Sequence, residues 1–298
     1  MIRSRSMEEP TARVWKKIGL YYALTMLFSG VFDAFVLHAG RMEAGNLLYV
    51  TGSMWSPALA AFATKRIFRE SIRDLPWNWG PSRYAWLAYV IPIAYALPIY
   101  LTVWITGLGE FAPPAFIRQV ADQFGWSNFP PGLTLTLFVL LTATLGMVGK
   151  ASRALGEEIG WRGFLVPELS KVVSFPAIGL ISGVMWSIYH YPILLFADYN
   201  AGTAPWYGLT CFTLGVVAES FVFAWLTLRS RSLWPAAIMH ASHNLFIQSI
   251  FTPLTGDKGV TKYIIDEFGI GLVITTMIAA VLVWRRRGDL QVEGLNVV

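Results

Sequence analysis

Long apolar stretches recur along the chain, separated by short polar connections and with no residue-by-residue alternation. Eight of them lie at roughly 18–37, 46–63, 84–107, 132–149, 175–197, 205–228, 232–253 and 266–284. Each approaches the about 20 mostly apolar residues that a helix needs to cross a bilayer. The pattern predicts an all-α, polytopic membrane helical bundle with about eight transmembrane helices, folded as one domain over residues 1–298. No internal repeat, low-complexity tract or interdomain linker interrupts it. The first stretch carries Asp33, and no small-residue cleavage site clearly follows, so it reads as a span and not as a cleaved leader. Residues 108–131 form the longest predicted outer loop. There Pro113-Pro114 and Pro130-Pro131 flank an amphipathic piece, Phe116 to Phe124, expected at the membrane interface.

Composition agrees with this reading and removes its rivals. Hydrophobic residues make up 55% of the 298 positions and charged residues 14%, with mean hydropathy +0.52. Ordinary soluble domains carry roughly 25% charged residues. A soluble enzyme of this length needs more charge to cover its surface, and 15% aromatics is the opposite of a disordered composition. The net charge of +5 does not point to nucleic acid, because the basic residues gather at the ends of apolar stretches. Nineteen of the 23 Lys and Arg lie in one alternate set of connections: 3–17, 65–83, 150–171, 229–231 and 285–287. The other set holds Arg41, Arg118, Lys258 and Lys262. By the positive-inside rule both termini are cytoplasmic, and the stretch 150–172 does not cross on its own. The sole cysteine, Cys211, excludes an intramolecular disulfide and a cysteine metal cluster.

Ionisable groups inside or beside apolar stretches carry the chemistry, since an unpaired charge there is costly. The densest cluster is Gly156-Glu157-Glu158-Ile159-Gly160-Trp161-Arg162. On a helix Glu158 and Arg162 share a face and can pair, while Glu157 is offset and free to point elsewhere. Adjacent carboxylates also repel, which favours one of them as a proton acceptor. The same residues could equally form an ion-paired juxtamembrane helix. His190 follows Trp186 by one turn, with Pro192 freeing a backbone carbonyl nearby. His240 and Asn244 stack on one helix face and could present two donors to one cavity, or bond a neighbouring helix. His243 reads as a hydrogen bond to an adjacent helix. Asp33 and Glu219 lack a local basic partner; Glu219 could orient a catalytic histidine or join a packing network.

Taken together, Glu157-Glu158-x-x-x-Arg162, Trp186-x-x-x-His190 and His240-x-x-x-Asn244 resemble the three motifs of the CAAX prenyl endopeptidase type II family, also called the CPBP family of glutamic intramembrane proteases. Gly156-Glu157-Glu158 and Ser232-Leu233-Trp234-Pro235 extend the likeness, which covers roughly residues 150–250. The resemblance implies a helix-enclosed cavity open to the cytoplasm and an intramembrane endopeptidase without cofactor or metal. It implies that Glu157 is the base and that His190 helps it activate a water. It assigns the oxyanion to His240 and Asn244, with Glu158, Arg162 and Trp186 completing the motifs; Glu219 is a supporting candidate from its place in an apolar stretch and not from the motifs. The partners implied are a peptide or protein substrate, with or without a lipid, and the lipid bilayer of the cell membrane; no nucleic acid is implied and the oligomeric state is open. The family motif more often begins with Phe where this chain has Trp186, a change expected to alter pocket shape more than chemistry.

Three other readings compete. Glu157, His190 and His240 could form a two-histidine, one-carboxylate zinc site, although no His-Glu-x-x-His string occurs. A non-catalytic scaffold or immunity protein could retain the same polar cavity. A transporter could use intramembrane acids for ion coupling, but no inverted repeat is visible. Depth poses a problem for the first reading. His240 lies 8 residues into its stretch and His190 15 into its own, roughly 12 and 22 Å at helical rise. Meeting Glu157 requires the fifth helix to begin below the bilayer edge or the 150–172 helix to dip inward.

Overall fold

The computed structural model describes residues 9–39, 47–197 and 199–290. Arg3, Arg5 and Arg41 of the charge pattern lie outside them. Ten α-helices order the described chain: α1 (Thr11–Ala39), α2 (Leu47–Ile67), α3 (Ser82–Ile105), α4 (Pro114–Phe124), α5 (Pro131–Glu158), α6 (Val166–Leu169), α7 (Phe175–Phe196), α8 (Pro205–Ser230), α9 (Trp234–His243) and α10 (Ile270–Arg285). Two antiparallel strands of three residues, β1 (Gly109–Phe111) and β2 (Thr255–Asp257), complete it. Each of the eight apolar stretches overlaps one of these helices, and the seventh continues from α9 into a π-helical segment, Asn244–Phe251. By length and apolarity, five of them suffice to cross a membrane: those at 11–38, 82–105, 131–169, 175–196 and 205–230. α10 is apolar but shorter.

Proline marks the helix starts. Pro114, Pro131 and Pro205 occupy the first helical position, and Pro176 and Pro235 the second. A first-turn N–H has no intrahelical partner, so proline loses nothing there. The amphipathic piece is α4, which packs on α5 through an edge-on Phe116–Phe138 pair.

The fourth stretch runs further than its apolar residues suggest. α5 passes without a break into a π-helical segment, Ile159–Leu165, and then into α6. The carboxylates at 157 and 158 are therefore not on a separate juxtamembrane helix. No proline lies between residues 150 and 165, so the helical ladder continues there, widening to a π turn. Close approach of α2 needs small residues on this helix. A Cβ at Gly156 would meet the Met54 carbonyl and Trp55 Cα at 2.8 Å, and one at Gly160 would meet Pro57 backbone at 2.6 Å. Gly183 plays the same part between α7 and α8, with Val217 Cα 2.7 Å from a built Cβ. Van der Waals contact of this kind is the main attraction between helices where the surroundings are as apolar as the side chains.

Charge gathers at one end of the bundle. Lys17 of α1 is fully buried, its Nζ 2.9 Å from Glu9, 2.9 Å from Glu70 and 2.8 Å from Glu168. Lys65 joins through Glu70, and Lys171 through Glu9 and Glu168. Three of the basic connections thus meet in one ion-pair network. At the far end of α3, β1 pairs with β2, and Thr261 and Lys258 donate to the Leu108 and Gly107 carbonyls.

Gly160→Ala will lower the melting temperature in detergent relative to Gly149→Ala, whose Cβ meets nothing within 4 Å. Overpacking against a backbone costs about 1–3 kcal/mol, more than the helix-propensity gain of alanine returns; equal melting would show that α2 is free to move away. The network also sets an acid limit. Burial alone would raise the carboxyl pKa of Glu9 and Glu70, but hydrogen bonds from Lys17 and Lys171 to Glu9, and from Lys17 and Lys65 to Glu70, hold both below the ordinary value. A depressed folded-state pKa contributes stability above the unfolded value, about 4.3, that is lost as pH falls through the folded value. Melting temperature will therefore drop below about pH 4.3, and Glu70→Gln will flatten that acid limb.

Candidate active site

Two of the three sequence clusters sit where a helix changes from α to π. The ladder switches just after Glu157-Glu158, and again at Asn244, where α9 continues as the π-helical segment Asn244–Phe251. Single π turns inside α-helices are unfavourable and tend to occur at functional positions.

Behind the cavity wall lies a buried ion pair. Arg162 is fully buried and donates through Nη1 to Glu158 Oε1 at 2.9 Å. Its guanidinium lies between two aromatic faces, 4.1 Å from the Trp186 ring centroid and 4.0 Å from that of Phe223. Nη2 reaches Ser220 Oγ at 3.4 Å. Cation–π contacts in a desolvated site are worth about 2 kcal/mol or more, which helps to offset burying the charge. Glu158 Oε1 also meets His240 Nδ1 at 2.8 Å. An ionised carboxylate can only accept, so Nδ1 carries the hydrogen.

Trp186 ties the second cluster to the first. Its Nε1–H donates to Glu157 Oε2 at 2.7 Å, and its backbone carbonyl faces His190 Nδ1 at 2.9 Å. A carbonyl is an acceptor only, so Nδ1 of neutral His190 is protonated and Nε2 presents a lone pair. The expectation that tryptophan here changes shape more than chemistry is corrected: the indole N–H is a donor that phenylalanine lacks, and it fixes a carboxylate oxygen of Glu157.

Glu157, Trp186, His190, His240, Asn244 and Glu219 line one cavity of about 290 Å³. Glu158 and Arg162 stand behind it. Its wall is mostly apolar, with Met54, Phe212, Val216, Phe223 and Leu272 among the lining residues. These six residues come from α5, α7, α8, α9 and the π-helical segment that continues α9, so the structure gathers segments up to about 90 positions apart in sequence. Glu219 does orient a histidine, but that histidine is His243, whose Nδ1 is 3.2 Å away. His243 also meets Tyr95 Oη at 2.6 Å and, through Nε2, Glu267 at 3.0 Å. Its reading as a hydrogen bond to neighbouring elements holds. Glu267 was missed. It stands just before α10, at the edge of an apolar stretch and outside every motif, yet it accepts from Gln248 at 2.7 Å and Tyr199 at 2.9 Å. Only its tertiary position distinguishes it from an ordinary end-of-helix acid.

Among the described residues no three His, Cys, Asp or Glu side chains converge to hold a metal ion. His190 and His240 each spend one ring nitrogen on a protein acceptor. The zinc reading gains no ligand set from this geometry.

Residues 131–246, from the start of α5 to just past Asn244, match the model of the Rce1-like family, described as type II CAAX prenyl endopeptidase Rce1-like. The chain is also similar to a protein named CAAX prenyl protease 2 from Methanococcus maripaludis, with 29% identity over 134 residues. That alignment takes in 42% of this chain and spans about 45% of the relative's length. The resemblance carried by the three motifs thus extends through the helices that present them.

Arg162→Met leaves Glu158 buried without its guanidinium. Removing one partner of a buried pair costs about 3–5 kcal/mol. The variant will melt well below wild type in detergent, and adding Glu158→Gln will recover part of the loss. Failure of the second substitution to recover any would show that the pair is not what couples these residues.

Proposed function

We propose that this chain is an intramembrane endopeptidase of the CAAX-processing type that hydrolyses a peptide bond with a water activated by Glu157 and His190. The observation that carries this reading is the placement of both on one helix-enclosed cavity with His240 and Asn244. The match to a protease family over the same helices supports it.

In this reaction Glu157 takes a proton from water held between it and the Nε2 lone pair of His190. The hydroxide attacks the scissile carbonyl, and Glu157 returns the proton to the leaving amine. No acyl-enzyme forms, and neither serine nor cysteine is needed. The Trp186 N–H holds one oxygen of Glu157, leaving the other for the water. His240 and Asn244 receive the developing oxyanion. Because Nδ1–H of His240 is committed to Glu158, its Nε2 donates only in the imidazolium form. The apolar wall excludes bulk water and strengthens each of these electrostatic contacts. The substrate is a peptide or protein, reached from the cytoplasmic side of the cell membrane, and the apolar lining can receive a lipid group if the substrate carries one.

Purified protein will cleave a peptide reporter. Glu157→Gln or His190→Ala will abolish turnover while leaving the detergent melting profile intact, and Asn244→Ala will lower kcat by about 100- to 1,000-fold, the usual effect of a lost oxyanion donor. Full activity in Glu157→Gln would refute the assignment; no cleavage by wild type would leave a non-catalytic scaffold.

A further inference from the structure

Asp33 takes no part in the reaction above, yet it is buried in α1 beside the reacting groups. Ser53 of α2 donates its hydroxyl to Asp33 Oδ1 at 2.8 Å. Tyr189 of α7 donates to the Ser53 carbonyl at 2.7 Å, and its oxygen lies 3.5 Å from the Ser53 hydroxyl. Asp33, Ser53 and Tyr189 line a second chamber of about 40 Å³, and Glu157 and His190 line it too. These two residues therefore border two volumes. His240 and Asn244 line only the larger.

A water molecule needs about 10–15 Å³ of such space and two to four polar partners. The chamber has room for roughly three waters, and Asp33, Ser53, Tyr189, Glu157 and His190 are the polar residues among its lining. Most of the chamber's wall is apolar, so the polar partners that a water requires come from these five side chains alone.

The geometry points to a water-binding site that stages the hydrolytic water, with Asp33 as the positioning residue that holds it through Ser53. A peptide filling the larger cavity shuts out bulk water from that side. Water already in the small chamber still reaches Glu157 and His190. The carbonyl is then approached from the α1–α2 side, while its oxygen lies toward His240 and Asn244 in the larger cavity. A staged water gives a hydrogen to Asp33 in the small chamber; on moving between Glu157 and His190 it gives its two hydrogens to those residues instead, and its lone pairs then face the reacting carbonyl. Asp33 gains no proton: the one removed from water goes to Glu157 and on to the leaving amine. This inference rests on the hydrolase reading.

The test uses the full chain in detergent with a peptide reporter. Asp33→Leu will lower kcat about 100-fold, as expected when a reacting group is misplaced, and KM will change less than about twofold. Asp33→Asn keeps an acceptor oxygen and will rescue most of kcat. Ser53→Ala, which removes one hydroxyl and no charge, will lower kcat without changing melting temperature, and decides the matter should Asp33→Leu fail to fold. Binding of uncleaved peptide, measured in the Glu157→Gln background, will be the same with and without Asp33→Leu. Wild-type kcat in both Asp33→Leu and Ser53→Ala would overturn the proposal. So would a parallel loss of kcat, peptide binding and melting temperature that Asp33→Asn does not rescue. Equal activity in wild type and Glu157→Gln would instead overturn the role of Glu157 on which this inference rests, without reference to Asp33.

Discussion

The buried pairing of Arg162 with Glu158 is the constraint on which the site depends. A guanidinium with no exposure must be matched in charge and geometry, and here the match comes from four elements at once. Glu158 ends α5, Arg162 lies in the following π segment, Trp186 comes from α7, and Ser220 and Phe223 come from α8. His240 of α9 closes the arrangement on the same carboxylate oxygen. Moving any one of these helices breaks a buried polar contact, and leaving a charge unpaired there is far costlier than losing an apolar contact. The pair therefore fixes how the helices meet.

Trp186 converts that frame into a reactive geometry. One face packs on Arg162, its indole N–H bonds Glu157, and its carbonyl sets the tautomer of His190. The two residues assigned to the water are thus oriented by a single side chain and its own backbone. Gly156 and Gly160 add the other requirement. They let α2 lie against α5, and Ser53 of α2 is bonded to Tyr189 and Asp33 beside the same glutamate.

A second polar network faces the cavity from the other side. Glu219, His243, Glu267 and Tyr95 interlock there next to Asn244. His243 and Asn244 are neighbours at the start of a π segment, so the network braces the helix that carries His240 and Asn244.

The amino-acid sequence by itself determined the helical bundle, because apolar runs of bilayer length allow no other backbone in lipid. It also determined which residues were candidates: Glu157, Glu158, Arg162, His190, His240 and Asn244 stand out as polar groups in apolar surroundings, at spacings that put pairs on one helix face. Glu158–Arg162 was legible for that reason, being local at four residues. Contacts that span the chain were not. The bond from Trp186 to Glu157, the partner of Glu219, the presence of Glu267 and the closeness of Asp33 each join residues 24 to more than 100 positions apart, and no periodicity encodes such distances. The continuation of α5 past its apolar stretch was also hidden, because charged residues that look like a membrane edge are buried against other helices. Packing decided those features, since only the folded bundle says which polar side chains find a partner and which are left facing a cavity.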